Sequence, residues 1–234
     1  TVAALLTLAV ILMLGVKAPA PRRASGSVGF DSLLEGLRFV FRRRTILGAI
    51  SLDLFAVLFG GATALLPAYA SDILKVGPDG LGLLRAAPGV GAAAIALLLA
   101  WKPLTRRVGP AMLWGVALFG AAPIVFGRSD TILVSLAAHA SRGAAAKVSG
   151  YIRHLLVQLE TPDEIRGRVS AVSAVFIGAS NELGEFESGV TAAWWGLRPA
   201  VVVGGVASVA IAGLWARWFP ELRGMDRFPG HDPS

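Results

Sequence analysis

The stretch that decides the fold is "IGASNELGEFESG", Ile177–Gly189. It carries three glutamates, Glu182, Glu185 and Glu187, between flanks made almost entirely of Ala, Val, Gly, Trp and Phe. A charge inside a membrane span costs at least about 2.5 kcal/mol on insertion scales, so such carboxylates face protein or a water-filled cavity. The fold class therefore depends on whether helical geometry keeps all three glutamates out of lipid.

Helical spacing separates the glutamates from an apolar stripe. At about 100° per residue, the opposite side of the helix carries Asn181 and Glu185, with Glu182 at its edge. Glu187 lies nearest the apolar stripe, but it is close enough to the helix end to reach the headgroups. The stripe itself consists of Val172, Phe176, Ala179, Leu183, Phe186, Val190 and Trp194. The stretch therefore predicts a membrane helix with one apolar stripe and a wide polar face.

The composition of the whole chain indicates a polytopic membrane protein. Of its 234 residues, 55% are hydrophobic and only 16% are charged, and the mean hydropathy is +0.66. A soluble domain carries about 25% charged residues. We expect an all-α fold built on seven apolar segments, the first of them incomplete: Thr1–Val16, Ile46–Ala70, Leu81–Trp101, Ala111–Gly127, Thr131–Gln158, Val169–Trp195 and Pro199–Phe219.

The distribution of Lys and Arg predicts the orientation of these segments. If every segment crosses the membrane, fifteen cations flank one side and only Lys75, Arg128 and Arg198 flank the other. Because Lys and Arg accumulate in cytoplasmic loops, the first loop and the C-terminus are expected in the cytoplasm, below the plasma (inner) membrane. The net charge of +7 then serves orientation, which argues against a nucleic acid as partner.

The first loop divides into two parts. Its start, "KAPAPRRASGSVG", is rich in Pro, Gly and Ser and predicts a linker. Its end, "FDSLLEGLRFVFRRR", favours an amphipathic helix on the anionic inner leaflet. The alternative for this second part is a simple lead-in to the next span.

Four motifs are similar to a known family. They are "SLDLFAVLFGGATALLPAYA", "GLGLLRAAPGVGA", "VQLETPDEIRGRVSAV" and "FIGASNELGEFESG". Together they resemble the C-terminal half of major facilitator superfamily proteins, above all the branch that contains the enterobactin exporter and related drug exporters. The resemblance covers nearly the whole chain. It implies two six-helix halves around a central cavity, with transport by alternating access and no cofactor.

The resemblance also implies the domain boundaries. Residues 1–16 would end the sixth transmembrane helix, and residues 17–44 would form a cytoplasmic linker with the amphipathic helix. Residues 45–219 would form the six-helix bundle, and residues 220–234 a cytoplasmic tail. The chain would be part of a longer protein whose N-terminal half is its partner, together with membrane lipids, protons and a small-molecule substrate.

Two motifs depart from the family pattern. The cytoplasmic loop reads "LTRRVGP", with Arg106 and Arg107 where the superfamily has an Asp-Arg pair. The tenth helix reads "GAAAKVSG", Gly143–Gly150, where relatives read "GAADMVSV". Ala146 thus replaces a carboxylate, and Lys147 lies beside it. These departures argue against an acidic latch in that loop, and residue 146 cannot supply a coupling acid.

Ionisable residues within the spans are the candidate site. Counting about 1.5 Å per residue from the outer helix ends places Arg142 level with Glu185, and Lys147 near Glu182. We predict ion pairs at these depths, which serve either a proton or substrate site or helix packing alone. Asp53 either faces the cavity or reaches the interface, and Arg85 either contacts headgroups or marks a bend at Pro88. His139 and His154 show no metal-ligand spacing.

The candidate residues fall into three groups, and no metal site is expected. Proton-coupling candidates are Glu185, Glu182, Asp53 and Glu187. Substrate or ion-pair candidates are Arg142, Lys147, Arg153, Arg85 and Asn181. Candidates in the gating loops are Arg106, Arg107, Arg166 and Arg168.

The expected function is proton antiport that exports a siderophore-like molecule or an amphipathic drug. The alternatives are proton-coupled uptake and an inactive truncated half or membrane scaffold. The sequence contains neither a Gly-rich phosphate loop ending in Lys-Ser/Thr nor an HExxH or GxSxG motif, so we do not expect an enzyme.

The predicted orientation is testable by cysteine labelling, because the chain has no native cysteine. Ser25→Cys and Ser234→Cys should resist a membrane-impermeant thiol reagent in intact cells, whereas Asp130→Cys should react. Labelling in the reverse pattern would show that the chain is inserted the other way round.

Overall fold

The computed structural model describes residues 30–61 and 63–229, and every regular element in these ranges is helical. The all-α prediction is therefore confirmed. Predicted segment 1–16, the linker start and residues 230–234 lie outside the described residues. Seven helices of at least 13 residues are described: α1 (Phe30–Arg42), α2 (Arg44–Gly60), α3 (Pro78–Trp101), α4 (Val108–Gly127), α5 (Ile132–Glu160), α6 (Asp163–Trp195) and α7 (Leu197–Trp218).

Three of these helices, α3, α4 and α7, are long and apolar enough to cross a membrane. Helix α2 has 17 residues and a length of about 25 Å, which is less than the roughly 30 Å of a hydrocarbon core. Helices α5 and α6 are longer, at 29 and 33 residues, but carry several charged side chains. The structure thus supports a membrane protein with three candidate spans, and the full set of spans stays a prediction.

The predicted span Ile46–Ala70 is interrupted. Helix α2 ends at Gly60, and helical structure resumes only at Leu66–Ala68, which continues into a π-helical turn, Tyr69–Ile73. The paired Gly60 and Gly61 are poor helix formers, and Pro67 has no N–H to donate to the preceding turn. The break leaves carbonyl groups at the end of α2 that need other donors.

The bundle is held by close helix contacts between α3 and α5, between α4 and α5, and between α4 and α7. Glycines allow the first of these. A Cβ atom added at Gly143 would lie 1.9 Å from the Pro88 carbonyl oxygen, and one added at Gly91 would lie 1.8 Å from the Ala140 carbonyl oxygen. Small residues permit such backbone approach where no hydrophobic effect drives helices together.

Helix α1 docks against the start of α6. Val40 is buried, and the Gly36 backbone lies against the Arg168 backbone, while Glu35 forms an ion pair with Arg168. Leu33 and Phe41 remain exposed beside the α1 arginines. Helix α1 occupies the second part of the predicted linker, and the linker's cytoplasmic side and the helix's contact with lipid stay predictions.

Residues 220–228 fold back beneath the bundle and cap α4. The Gly109 N–H donates to the Met225 carbonyl (2.9 Å), and the Arg107 N–H donates to Asp226 Oδ1 (3.2 Å). These bonds satisfy amides that a helix N-terminus otherwise leaves unpaired. Glu221 pairs with Arg44 (3.1 Å). The pKa of Glu221 is lowered first by hydrogen bonding from its own backbone and then by the Arg44 side chain.

The glycine contact between α3 and α5 predicts a large difference between two Gly→Ala variants. Gly143→Ala would force the helices apart, because its Cβ would overlap the Pro88 carbonyl, and overpacking costs about 1–3 kcal/mol. Gly178→Ala is the matched control, since its Cβ would meet no heavy atom within 4 Å. Thermal unfolding in detergent should show a lower Tm for Gly143→Ala only. Equal Tm values would contradict the close contact.

Candidate functional site

A buried ion pair joins α2 and α5. Asp53 Oδ2 lies 2.9 Å from Arg153 Nη1, and the two side chains are only 14% and 8% exposed. Asp53 is nine residues from the start of α2, or about 14 Å along its axis, and Arg153 lies about 10 Å from the end of α5. The pair is therefore inside the bundle and away from the helix ends.

Arg153 keeps donor capacity beyond this pair. Its Nε is buried without a hydrogen-bond partner among the described residues, and the approach of Nη1 to Asp53 is not aligned as a hydrogen bond. A guanidinium has five N–H donors in a fixed fork. Arg153 can therefore hold Asp53 and still offer N–H groups to a second acceptor.

A crevice of about 100 Å³, with polar side chains on a largely apolar surface, opens beside the pair between α5 and α6. Arg153, His154 and Gln158 line it from α5, and Ser170 and Ser173 line it from α6. The crevice exists because α5 and α6 diverge and share few direct contacts. The Arg153 side of the buried ion pair therefore borders this crevice.

Helix α6 packs against the bundle through an edge of small residues, which the sequence pattern did not single out as a packing surface. Ser180, Gly184 and Ser188 are buried, and a Cβ on Gly184 would lie 2.8 Å from the Leu58 carbonyl oxygen of α2. The predicted apolar stripe and the predicted polar face lie on either side of this edge, and both are largely exposed. Phe186 is 72% exposed on the apolar side. The small-residue edge provides the packing, and the other two sides stay open.

The polar face of α6 continues the crevice. Ser170, Ala174 and Ile177 line the crevice, and the same spacing of three and four residues leads on to Asn181 and Glu185, which are both exposed. On α5, exposed Lys147 shares a face with His154 and Gln158. We call this set of residues the polar track; it is basic on α5 and acidic on α6.

The predicted pairing of Arg142 with Glu185 is not formed. Arg142 donates instead to the Gly60 carbonyl and to Thr63 Oγ1, each at 3.1 Å, and its guanidinium lies 4.7 Å from the Phe119 ring centroid. The break after α2 supplies these acceptors, and a cation at a helix C-terminus is stabilised by the helix dipole. Arg142 therefore fixes the end of α2, with no carboxylate partner among the described residues.

The remaining candidates divide by location. No ion pair among the described side chains involves the candidates Lys147, Glu182, Glu185 and Glu187. The predicted Lys147–Glu182 pair is therefore also absent. Glu187 is half-buried. Arg85 is exposed on α3. Of the arginines predicted in gating loops, Arg106 lies before α4 and pairs with Asp226 (3.8 Å). The structure places two others within α6, where Arg166 pairs with Asp163 of the same helix (2.5 Å) and Arg168 pairs with Glu35 of α1. The roles of these residues stay predictions.

Sequence reasoning named both members of the buried pair but did not join them. Asp53 and Arg153 are one hundred positions apart, and only their similar distance from the same end of the bundle pointed to a contact. It also missed Asp226, which brings an acid to the "LTRRVGP" loop from the far end of the chain. Among the described residues, no group of three or more His, Cys, Asp or Glu is placed to hold a metal ion.

Comparisons of this chain with protein-family profiles, with curated proteins and with solved structures found no match. The similarity of the four motifs to the major facilitator superfamily therefore remains a prediction from the sequence.

The buried pair predicts strong coupling in a double-mutant cycle. Asp53→Ala or Arg153→Ala alone leaves an unpaired buried charge and should cost about 3–5 kcal/mol of unfolding free energy, and the double variant should recover much of this loss. Unfolding in detergent by guanidinium chloride or by heat gives the unfolding free energy of the unmodified chain, the two single variants and the double variant. Arg142→Ala with Glu185→Ala is the matched cycle, and its effects should add. Additive effects at Asp53 and Arg153 would contradict the pair.

Proposed function

We propose that this chain is the C-terminal six-helix half of a major facilitator superfamily transporter that exports a small molecule by proton antiport. The observation that carries the proposal is the buried Asp53–Arg153 ion pair, whose Arg153 side borders the crevice between α5 and α6. Ionisable groups inside membrane bundles mark ion and substrate pathways. In this proposal the protein lies in the inner membrane with its C-terminus in the cytoplasm, and pairs with an N-terminal half of the same protein.

The ion pair would couple proton and substrate through competition. While Asp53 is ionised, Arg153 is held by it; when Asp53 takes a proton, the Coulomb attraction ends and Arg153 is released. A cationic or hydrogen-bond-donating group of the substrate would bind the ionised Asp53 carboxylate in place of Arg153. A proton on Asp53 removes the negative charge that this group needs, so protonation expels the substrate and loss of the proton admits it again. Since proton and substrate exclude each other at Asp53, their movements are opposite.

The polar track would guide the substrate along α5 and α6. Lys147 on α5 and Glu185 on α6 present opposite charges without neutralising each other. A molecule that carries acidic and polar groups on an apolar body can contact both, which favours siderophore-like anions or amphipathic drugs. Glu182 and Glu185 would form a second set of proton acceptors, nearer the other end of α6.

The exposed sides of α6 support this arrangement. Its apolar side, with Phe186 and Trp194, is suited to acyl chains, and its acidic side is suited to a water-filled cavity. Between them, the edge of small residues packs inside the bundle, as do Val169 and Val172 near the start of the helix. A helix of this kind borders lipid, protein and water at once, as expected for a wall of a transport cavity.

Transport by the complete protein tests the proposal. In cells lacking their major efflux pumps, its expression should lower the accumulation of a fluorescent amphipathic dye, and a proton uncoupler should abolish this effect. Asp53→Asn, which cannot exchange a proton, should lose proton-driven export, and dye binding to the purified protein should no longer depend on pH. Asp79→Asn, at an exposed position in the first turn of α3, is the matched control and should export normally.

Three outcomes would count against this assignment. Normal export by Asp53→Asn together with failure of Glu185→Gln would move the coupling role to the polar track. Dye accumulation that rises on expression would support uptake instead. No effect across anionic and amphipathic probes would favour an inactive half or a scaffold.

A further inference from the structure

An apolar groove of about 340 Å³ lies between α4 and α7. Leu113, Trp114 and Ala117 form one wall, and Ala212 and Gly213 form the other. The groove uses none of the helices that build the candidate site, α2, α5 and α6. Its volume falls in the range of pockets that hold small organic ligands.

The groove opens toward the surroundings of the bundle. Trp114 is 76% exposed on its wall, and a Cβ added at Gly213 would meet no heavy atom within 4 Å. Helices α4 and α7 are two of the three candidate membrane spans. What surrounds them in a membrane is lipid, so the material available to fill an outward-facing apolar groove is an acyl chain.

A single cation marks one end of the groove. Arg223 is the one charged residue that lines it, and it forms no ion pair among the described side chains. The nearest acids in sequence are engaged elsewhere, since Glu221 pairs with Arg44 and Asp226 pairs with Arg106. Arg223 follows the end of α7, and Pro110 of the groove belongs to the first turn of α4. The cation therefore sits at the helix ends, where headgroups lie.

We propose that this groove binds one acyl chain of an anionic phospholipid, with the lipid phosphate at Arg223. Basic side chains between helices at the cytoplasmic face are suited to anionic headgroups, and the small residues of α7 admit the chain beneath. The proposal depends on membrane insertion and not on transport, so it stands or falls separately from the exporter assignment.

Fluorescence quenching by brominated lipids tests the proposal. The purified chain is placed in phosphatidylcholine nanodiscs that contain a few per cent of either brominated phosphatidylglycerol or brominated phosphatidylcholine. Subtracting the signal of Trp114→Phe isolates the contribution of Trp114. We expect phosphatidylglycerol to be preferred about fivefold, the value for one cation near an anionic surface.

Two variants separate the chain from the headgroup. Gly213→Leu fills the groove, so quenching of Trp114 by both lipids should fall to the level that contact with bulk lipid produces. Arg223→Gln should remove only the preference for phosphatidylglycerol. Gly178→Leu is the matched control, because its position is equally open but lies on α6, and it should behave as the unmodified chain.

Other results would overturn the proposal. Equal quenching by the two lipids in the unmodified chain would show that the groove does not select an anionic headgroup. Unchanged quenching in Gly213→Leu would place the lipid elsewhere. Absence of quenching, with a disulfide forming between copies of Trp114→Cys, would assign the groove to a second copy of the chain.

Discussion

Close approach of helix backbones is the constraint on which the rest of this structure depends. Between α4 and α7, a Cβ on Gly120 would lie 2.8 Å from the Gly205 carbonyl oxygen, and one on Gly205 would lie 2.6 Å from that of Gly120. The α3–α5 contact at Gly91 and Gly143 is closer still. In a membrane, such van der Waals contact replaces the hydrophobic effect as the source of helix association. The glycines thus set which helix pairs approach most closely.

The divergence of α5 and α6 follows from this arrangement. Helix α5 is drawn to α3 and α4, while α6 is held by α1, α2 and α7. The space left between them becomes the crevice, and Lys147 on α5 forms no ion pair with Glu182 or Glu185 on α6. A buried pair forms instead between α5 and α2, where Arg153 reaches Asp53. The attraction within a buried ion pair offsets the cost of desolvating both charges only when the two groups are close together. Contacts between helices therefore decide which charges pair.

The end of the bundle that contains the loop arginines is tied together by residues from distant parts of the chain. Arg44 meets Glu221, Arg106 meets Asp226, and Arg168 meets Glu35. Each pair is exposed and contributes little alone. Together with the amides of α4 that bond to Met225 and Asp226, they order the termini of four helices. The tail beneath α4 is thus linked to α2 through Glu221 and to the loop before α4 through Asp226.

The sequence by itself determined the helical class, the position of most helices and the membrane character of α3, α4 and α7. These properties depend on local composition and on the 3.6-residue period, which a single segment reveals. Segment Ile46–Ala70 shows where this reasoning ends, because its hydropathy is continuous but Gly60, Gly61 and Pro67 stop the helix.

Only the tertiary structure decided the partners of the charged residues. Depth along the membrane normal matched Arg142 with Glu185, but two residues at equal depth meet only if their helices are in contact. Arg142 instead donates a hydrogen bond to the Gly60 carbonyl, which the break after α2 leaves without a helical donor. Whether a charge is paired, exposed or held by a backbone carbonyl depends on which helices touch, and that is set by contacts between residues far apart in the chain.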